Sequence, residues 1–368
     1  METQAITQTP PTPRTPDAAL AKLQSAAGAK MGVWFNCALP DDFGDPAAEY
    51  RYANHTVALE DKNYRAYLSF IGPDRVRYLN AILTNNIKDL VAAKGAISLL
   101  LNPQGHILAE LEIYALADRH FCVSYSMIRE QLIQWMDKYI IMDNVTLTDE
   151  TELWGSLALE GPKAAAVAKE VSGVDIAPLG ELASTDSSIG SIPCRVVKRS
   201  PGGVPGAEFV VERTHLAALW QILLEATRKH GGGPAGYAAL SGVRLAQGVA
   251  WFGYDFGDKQ IPHEAGLEDS HISYTKGCYT GQEIVERVRS RGHVNRRRVS
   301  LLFSGDAVPE AGAVLTAADG KEVGYLTRAA RIWDPLRILG TGYVRKEAEA
   351  PGTTLHWPGG TATVTRVP

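Results

Sequence analysis

The chain has 368 residues, 45% of them hydrophobic and 21% charged, with a net charge of −4. That length allows two or three domains with ample core, and the composition excludes a wholly disordered or collagen-like chain and any global basic field drawing it to nucleic acid. No apolar run reaches the ~18–20 residues of a membrane span, and no charged n-region with an apolar h-region follows Met1, so a cytoplasmic protein is expected.

Residues 3–16 are Thr/Pro-rich with almost nothing to bury, and read as disordered. Asp17 is placed to cap an alanine-rich helix running to about Lys30, and the acidic, turn-rich stretch Pro40–Tyr50 reads as a loop. Residues 1–45 therefore stand apart as a tail with one short helix. Strand signals follow at His55–Leu59 and Ala66–Ile71. Next, Gly72-Pro73-Asp74 opens a run with Val76, Leu79, Ile82 and Leu83 at helical spacing. A related unit recurs downstream, where Ser156–Glu160 ends in Gly161-Pro162-Lys163 and enters an alanine-rich helix to about Val171. Two strand–Gly-Pro–helix units predict a duplicated α+β building block.

Between them, the apolar strands Ala96–Leu101 and His106–Ala115 flank Asn102-Pro103-Gln104-Gly105, where Pro at the second position and Gly at the fourth fit a type I turn. Met127–Ile141 carries apolar residues at 128, 132, 135, 136 and 139, which suits an amphipathic helix. Cys194–Lys198 and Glu208–Glu212 are expected to pair, and Thr214 to cap a helix reaching Lys229. From Val299 onward, short apolar runs at Ser300–Phe303, Val323–Thr327, Ile338–Val344 and Thr361–Val367 alternate with turn residues. That texture predicts a small β-barrel or sandwich with its boundary near Asn295.

The four cysteines, Cys37, Cys122, Cys194 and Cys278, show neither a C-x-x-C pair nor zinc-finger spacing, and make no disulfide framework. Cys278 stands out. It lies in Tyr274-Thr275-Lys276-Gly277-Cys278-Tyr279-Thr280-Gly281-Gln282-Glu283, where Thr280 and Glu283 have capping-box spacing ahead of Ile284, Val285 and Val288. A helix N-terminus and the Lys276 ammonium both favour a thiolate, and Gly277 and Gly281 remove bulk beside it. The stretch reads either as a reactive-thiol loop or as a turn that uses Gly for geometry and Cys for packing. His271 and His293 are near in sequence, but nothing in the sequence places either beside the sulfur.

Residues Arg287–Arg298 hold six Arg and one His with no acid, which suits phosphates, the carboxylates of a polyanionic ligand, or a solvated linker paired with acids elsewhere. Ser241–Phe256 combines Arg244, Gln247, Trp251, Phe252 and Tyr254, a set that suits a flat heteroaromatic ligand or a core helix end.

Taken together, these segments resemble the YgfZ-type group within the folate-binding family of the glycine-cleavage T-protein (aminomethyltransferase). The diagnostic stretch is Lys276–Glu283, preceded by Arg244–Gly248, Trp251-Phe252-Gly253 and Pro262–Leu267, and followed by Arg291–Arg296. Gly72–Arg75 and Leu83–Asn86 also match family patterns, and the likeness covers roughly residues 50–368. The resemblance implies an α+β fold in which two interleaved subdomains over 46–294 surround a central cavity for tetrahydrofolate and a barrel over 295–368 closes it. It implies a factor for assembly or repair of iron–sulfur clusters, serving enzymes such as the tRNA methylthiotransferase. Cys278 would be the reactive thiolate or cluster ligand, with Lys276 beside it. Arg244, Gln247, Trp251, Tyr254, Tyr279, Gly281, Gln282 and Glu283 would face the ligand, Asn86 joins them from the resemblance alone, and Arg291 and Arg296 would meet the folate's glutamate tail.

Two departures separate the chain from the T-protein itself. Its hairpin strand reads Gly105-His106-Ile107-Leu108-Ala109-Glu110, so the first of two aspartates is missing and the second is Glu. Where the T-protein has Arg-Leu-Glu-Ala-Gly, this chain has Ala246 and Gln247 in place of the pterin-contacting acid and its neighbour. An iron–sulfur factor is accordingly the leading expectation. The alternatives are a folate-dependent aminomethyl transferase, in which Glu110 replaces the missing acid, and an RNA-associated module using the arginine run.

Overall fold

The computed structural model describes residues 14–15 and 17–367, so the stretch expected to be disordered lies mostly outside the described residues. The fold is α+β with a closed barrel. Asp17 does cap the first helix, accepting from the N–H groups of Ala19 and Leu20, but the helix ends at Ala26 rather than Lys30. Lys30–Trp34 and Cys37–Asp42 then pair as a hairpin, where a tail had been expected. Its two-residue turn, Phe35-Asn36, has φ values of 51° and 55°, as a type I′ turn requires. Pro40–Tyr50 is likewise no loop: part of it is that second strand, and Asp45 caps a helix over Pro46–His55 whose first residue is proline.

Two sheets follow. One has five strands in the order Gly95–Leu101, Ile107–Ala115, His120–Tyr125, Arg65–Ile71, Thr146–Asp149. The other has six, in the order Ser184–Ile189, Ile192–Lys198, Gly206–Glu212, Trp154–Glu160, Ala58–Asp61, Gly233–Pro234. Each sheet holds one copy of the repeated unit. Arg65–Ile71 turns at Gly72 into the helix Arg75–Ile82, and Trp154–Glu160 turns at Gly161 into the helix Ala164–Ser172. The glycines are obligatory. Gly72 and Gly161 have φ of +108° and +133°, and a Cβ on either would strike a carbonyl oxygen, that of Asn144 or Thr56.

The C-terminal barrel closes through Arg296–Phe303, Leu336–Arg345, Glu322–Trp333, Val314–Thr316, Thr354–Trp357 and Gly360–Arg366. Asp255 clips it to the rest of the chain: its carboxylate accepts from Trp251 N–H (2.8 Å), from the barrel's Thr327 hydroxyl (2.8 Å) and from Arg244, while its carbonyl accepts from Tyr343 (2.9 Å). Arg244 and Asp255 are both wholly buried, an arrangement that is costly to break because the survivor keeps an uncompensated charge.

Between the two sheets and the barrel sits an aromatic core. Phe35, at the hairpin tip, contacts Tyr64, Tyr125, Tyr237, Trp251 and Tyr254, and its N–H donates to the Tyr254 hydroxyl at 3.0 Å. Burying a side chain of this size contributes ~1.5–3 kcal/mol. The element left aside as a tail thus builds the centre of the molecule. Among the described residues, no helix is long and apolar enough to cross a membrane.

Candidate functional site

A cavity of about 220 Å³ lies where the elements converge. Tyr64, Arg65, Ile97, Glu110 and Tyr125 come from the five-stranded sheet and its approach. Arg199, Ser200 and Pro201 come from a loop of the six-stranded sheet, and Arg298 from the barrel. The segments Gly248–Trp251 and Leu267–His271 complete the wall.

Strand geometry explains the polar side. Alternate residues of a strand share a face, so Glu110 and Glu112 of Ile107–Ala115 point the same way. Arg65 stands directly opposite Tyr125 in the neighbouring strand pair. It bridges Glu112 and Glu208 at 3.1 Å each, and Glu112 also receives Arg199 at 2.8 Å. Burial opposes the charge on Glu112, yet Arg199 and Arg65 outweigh it and hold the carboxyl down at about 2. Nearby, burial and the neighbouring Glu60 push Glu160 up to about 8, only partly offset by Lys62 and the Gly202 N–H.

Glu110 is the distinctive group. Its Oε2 accepts from the Tyr125 hydroxyl at 2.8 Å, and its Oε1 lies 3.0 Å from Nε2 of His271. The other imidazole nitrogen, Nδ1, is 2.7 Å from the Ser270 hydroxyl. The His271 carbonyl accepts from Thr84 Oγ1 at 2.7 Å, which anchors the segment to the five-stranded sheet. The result is a buried carboxyl group with one hydrogen-bond partner on each oxygen, on the wall of a hollow flanked by cations and aromatic rings.

Of the residues expected to form the site, Trp251 alone lines this cavity. Arg244 lies behind it, its guanidinium 4.7 Å from the centre of the Trp251 ring and bound to Asp255, with Nε and one terminal nitrogen unpartnered among the described residues. Tyr254 packs in the aromatic core. Gln247 is exposed at a helix end, its carbonyl accepting from Arg366. Asn86 closes a local turn with Asp89. Arg296 pairs with Glu264 at 2.9 Å, and Arg291 is exposed.

The cysteine loop forms a separate neighbourhood. Lys276 donates to the carbonyls of Asn80 and Leu83 at the end of the helix Arg75–Ile82, and burial lowers its ammonium to about 8. Its Nζ sits 5.0 Å from the centre of the buried Tyr279 ring. The expected capping box does not form. The helix Gln282–Arg291 starts after Gly281, whose φ of +81° and close approach to the Asn102 carbonyl fix the entry, and no side chain caps it. Glu283 pairs with Arg287 instead, and Gln282 donates its N–H to the Tyr279 carbonyl. Cys278 is exposed, whereas Cys37, Cys122 and Cys194 are buried. Burial raises those three thiols, Cys194 to about 11. Among the described residues, no three His, Cys, Asp or Glu side chains converge as a metal site.

Sequence reasoning missed Tyr64, Arg65, Tyr125 and Arg199 as cavity groups, offered Arg298 only as part of the arginine run, and gave no position to His271. Consecutive acids on one strand face, at 110 and 112, were the available signal.

A family model described as the GCVT N-terminal domain matches residues 17–271, beginning well before residue 50, where the resemblance was placed. An aminomethyltransferase of Moorella thermoacetica is 25% identical over 303 residues, 82% of either chain. One of Chlorobium chlorochromatii is 25% identical over 343 residues, 92% of either chain. The crystal structure of the glycine cleavage system aminomethyltransferase T from Bartonella henselae shares the fold, with a TM-score of 0.86 over 96% of this chain and 97% of that one at 22% identity.

Proposed function

The chain belongs to the family of the GCVT N-terminal domain, and on that premise we propose that its central cavity binds tetrahydrofolate and serves a one-carbon transfer of the aminomethyltransferase kind. Glu110 carries this reading. It occupies the cavity wall with a hydrogen-bond partner on each oxygen, in a chain whose hairpin otherwise lacks the first acid of the T-protein pattern.

The lining fits such a group. Tyr64, Tyr125 and Trp251 offer flat apolar faces for a heteroaromatic ring, and the buried Nε of Arg65 has no partner among the described residues. Arg298, held by the Ala265 and Gly248 carbonyls and, among the described residues, not by an acid, offsets the anionic charge of a folate carboxylate. When bound, tetrahydrofolate supplies the amine nitrogens that carry a one-carbon unit. Glu110 holds or accepts a proton at Oε1, Tyr125 and His271 fix its orientation, and Trp251 excludes water from one side.

Titration calorimetry with tetrahydrofolate tests the binding: one site per chain is expected, weakened at least tenfold in Trp251→Ala. Transfer from an aminomethyl donor tests the chemistry. Glu110→Gln should lower turnover by about 10²–10⁴, the usual contribution of a positioned acid–base group. Turnover unchanged in that variant overturns the transferase reading.

One observation favours a second reading, an iron–sulfur assembly or repair factor acting through Cys278. Cys278 is the exposed cysteine of the four, in the loop that carries the YgfZ-type resemblance. Loss of complementation of an iron–sulfur enzyme defect by Cys278→Ser, with Glu110→Gln fully active, would select this reading.

A further inference from the structure

We propose that His271 is a positioning residue for Glu110 and, with Ser270, forms the path by which a proton moves between the cavity and solvent. The proposal rests on the catalytic role given to Glu110, but its geometry stands independently. Ser270 is exposed, while the imidazole and the carboxylate beyond it are buried. The three side chains form an unbroken series, 2.7 Å from the Ser270 hydroxyl to Nδ1 and 3.0 Å from Nε2 to Oε1 of Glu110. The middle and inner members are tied down, His271 through its carbonyl to Thr84 and Glu110 through its carbonyl to the Ser124 hydroxyl at 2.8 Å.

An ionised carboxylate only accepts hydrogen bonds. With Glu110 ionised and the imidazole neutral, Nε2 of His271 therefore carries the hydrogen, and Nδ1 accepts from the Ser270 hydroxyl. This fixes the tautomer and the ring plane, as a second hydrogen bond does for imidazoles generally. To charge Glu110 with a proton, the Nε2–H bond breaks as the Oε1–H bond forms. Nδ1 takes the Ser270 hydroxyl proton, and Ser270 regains one from solvent. The net change is one proton gained by Glu110 and a shift of the imidazole to its Nδ1–H tautomer; release runs in reverse. The other titratable and charged side chains on this cavity are Tyr64, Arg65, Tyr125, Arg199 and Arg298. Behind them, Glu112 and Glu208 pair with Arg65, and Glu112 also pairs with Arg199.

The test is ¹H–¹⁵N NMR of the full chain with labelled histidine, at a pH where His271 is neutral. The Nε2–H form is expected to dominate in the wild type. It should persist in Ser270→Ala, held by the carboxylate, while the Nδ1 resonance moves away from its hydrogen-bonded position, and Ser270→Thr, which keeps the hydroxyl, should restore that position. A dominant Nδ1–H form in the wild type, or identical spectra in all three proteins, overturns the proposal. In the transfer assay, Ser270→Ala should slow turnover about tenfold and Ser270→Thr restore it, and equal rates in the three also overturn it. If the wild type neither binds tetrahydrofolate nor transfers, the proposed function falls, while the tautomer measurement still decides the positioning claim.

Discussion

Phe35 stacks on Tyr64 with ring centroids 4.1 Å apart and planes 18° from parallel. Tyr64 lines the cavity, so the N-terminal hairpin tip forms its backing. Phe35 holds this place with a positive φ, which for a bulky residue costs about 1–3 kcal/mol and persists only when surrounding packing dictates it. Phe35→Ala should lower stability by about 3–5 kcal/mol in urea denaturation, the range for emptying a buried aromatic site, and should weaken ligand binding. A loss under 1 kcal/mol would mean the tip is not integral to the core.

One glycine of the repeated Gly-Pro turns, Gly72, and one that ends the helix Ala164–Ser172, Gly173, give a matched pair of substitutions. Gly72 and Gly173 both have positive φ, but a Cβ on Gly72 strikes the Asn144 carbonyl, whereas none of the described residues lies within 4 Å of one on Gly173. Gly173→Ala should cost about 1–2 kcal/mol, the left-handed backbone penalty alone. Gly72→Ala should cost several kcal/mol, because backbone must move. Equal losses in thermal denaturation would contradict the packing described around Gly72.

These turns were legible in the sequence because local geometry dictates them. A strand meeting Gly-Pro leaves few choices, and the Asn102–Gly105 hairpin and the short strands of the barrel are equally local. The errors came from tertiary context. Phe35-Asn36 carries no glycine to announce its turn, and the Asp45-Pro46 helix start was hidden within an acidic stretch. The Thr280–Glu283 capping spacing was present, but Gly281, wedged against the Asn102 carbonyl, set the helix start. The site was the least legible part. Glu110 and His271 stand 161 residues apart, so no spacing rule joins them. Trp251 was visible through its aromatic neighbourhood, while the arginine run proved divided: Arg287 and Arg296 pair with acids and Arg298 turns inward.

Glu160 makes stability depend on pH. Its carboxyl is pushed up to about 8 in the folded chain, against 4.5 as its ordinary value. Between those values the folded state holds a proton that the unfolded state has lost, so stability falls as pH rises through this window. The slope is about 1.4 kcal/mol per pH unit for one group. Glu160→Gln keeps an oxygen for the Gly202 N–H, 2.8 Å from the carboxylate, and removes that titration. Relative to wild type, the variant should gain stability steadily from about pH 5 to 8 and level off above. Parallel urea profiles across that range would contradict the burial assigned to this group.

Thiol accessibility follows from the contrast between Cys278 and the three buried cysteines. Maleimide should label one thiol per native chain and four in denaturant, and Cys278→Ser should abolish the native label. That exposed substitution should change stability by no more than about 0.5 kcal/mol. Rapid native labelling of a second cysteine would show an opening that the packing does not predict.

Hydrogen–deuterium exchange of the full chain, with and without tetrahydrofolate, tests most directly that the cavity holds the ligand. Protection is expected at the backbone around Glu110, at Arg199–Ser200, at Gly248–Trp251 and at Leu267–His271, with the Cys278 loop unchanged. Protection confined to the 274–281 loop, or none at saturating ligand, would contradict it.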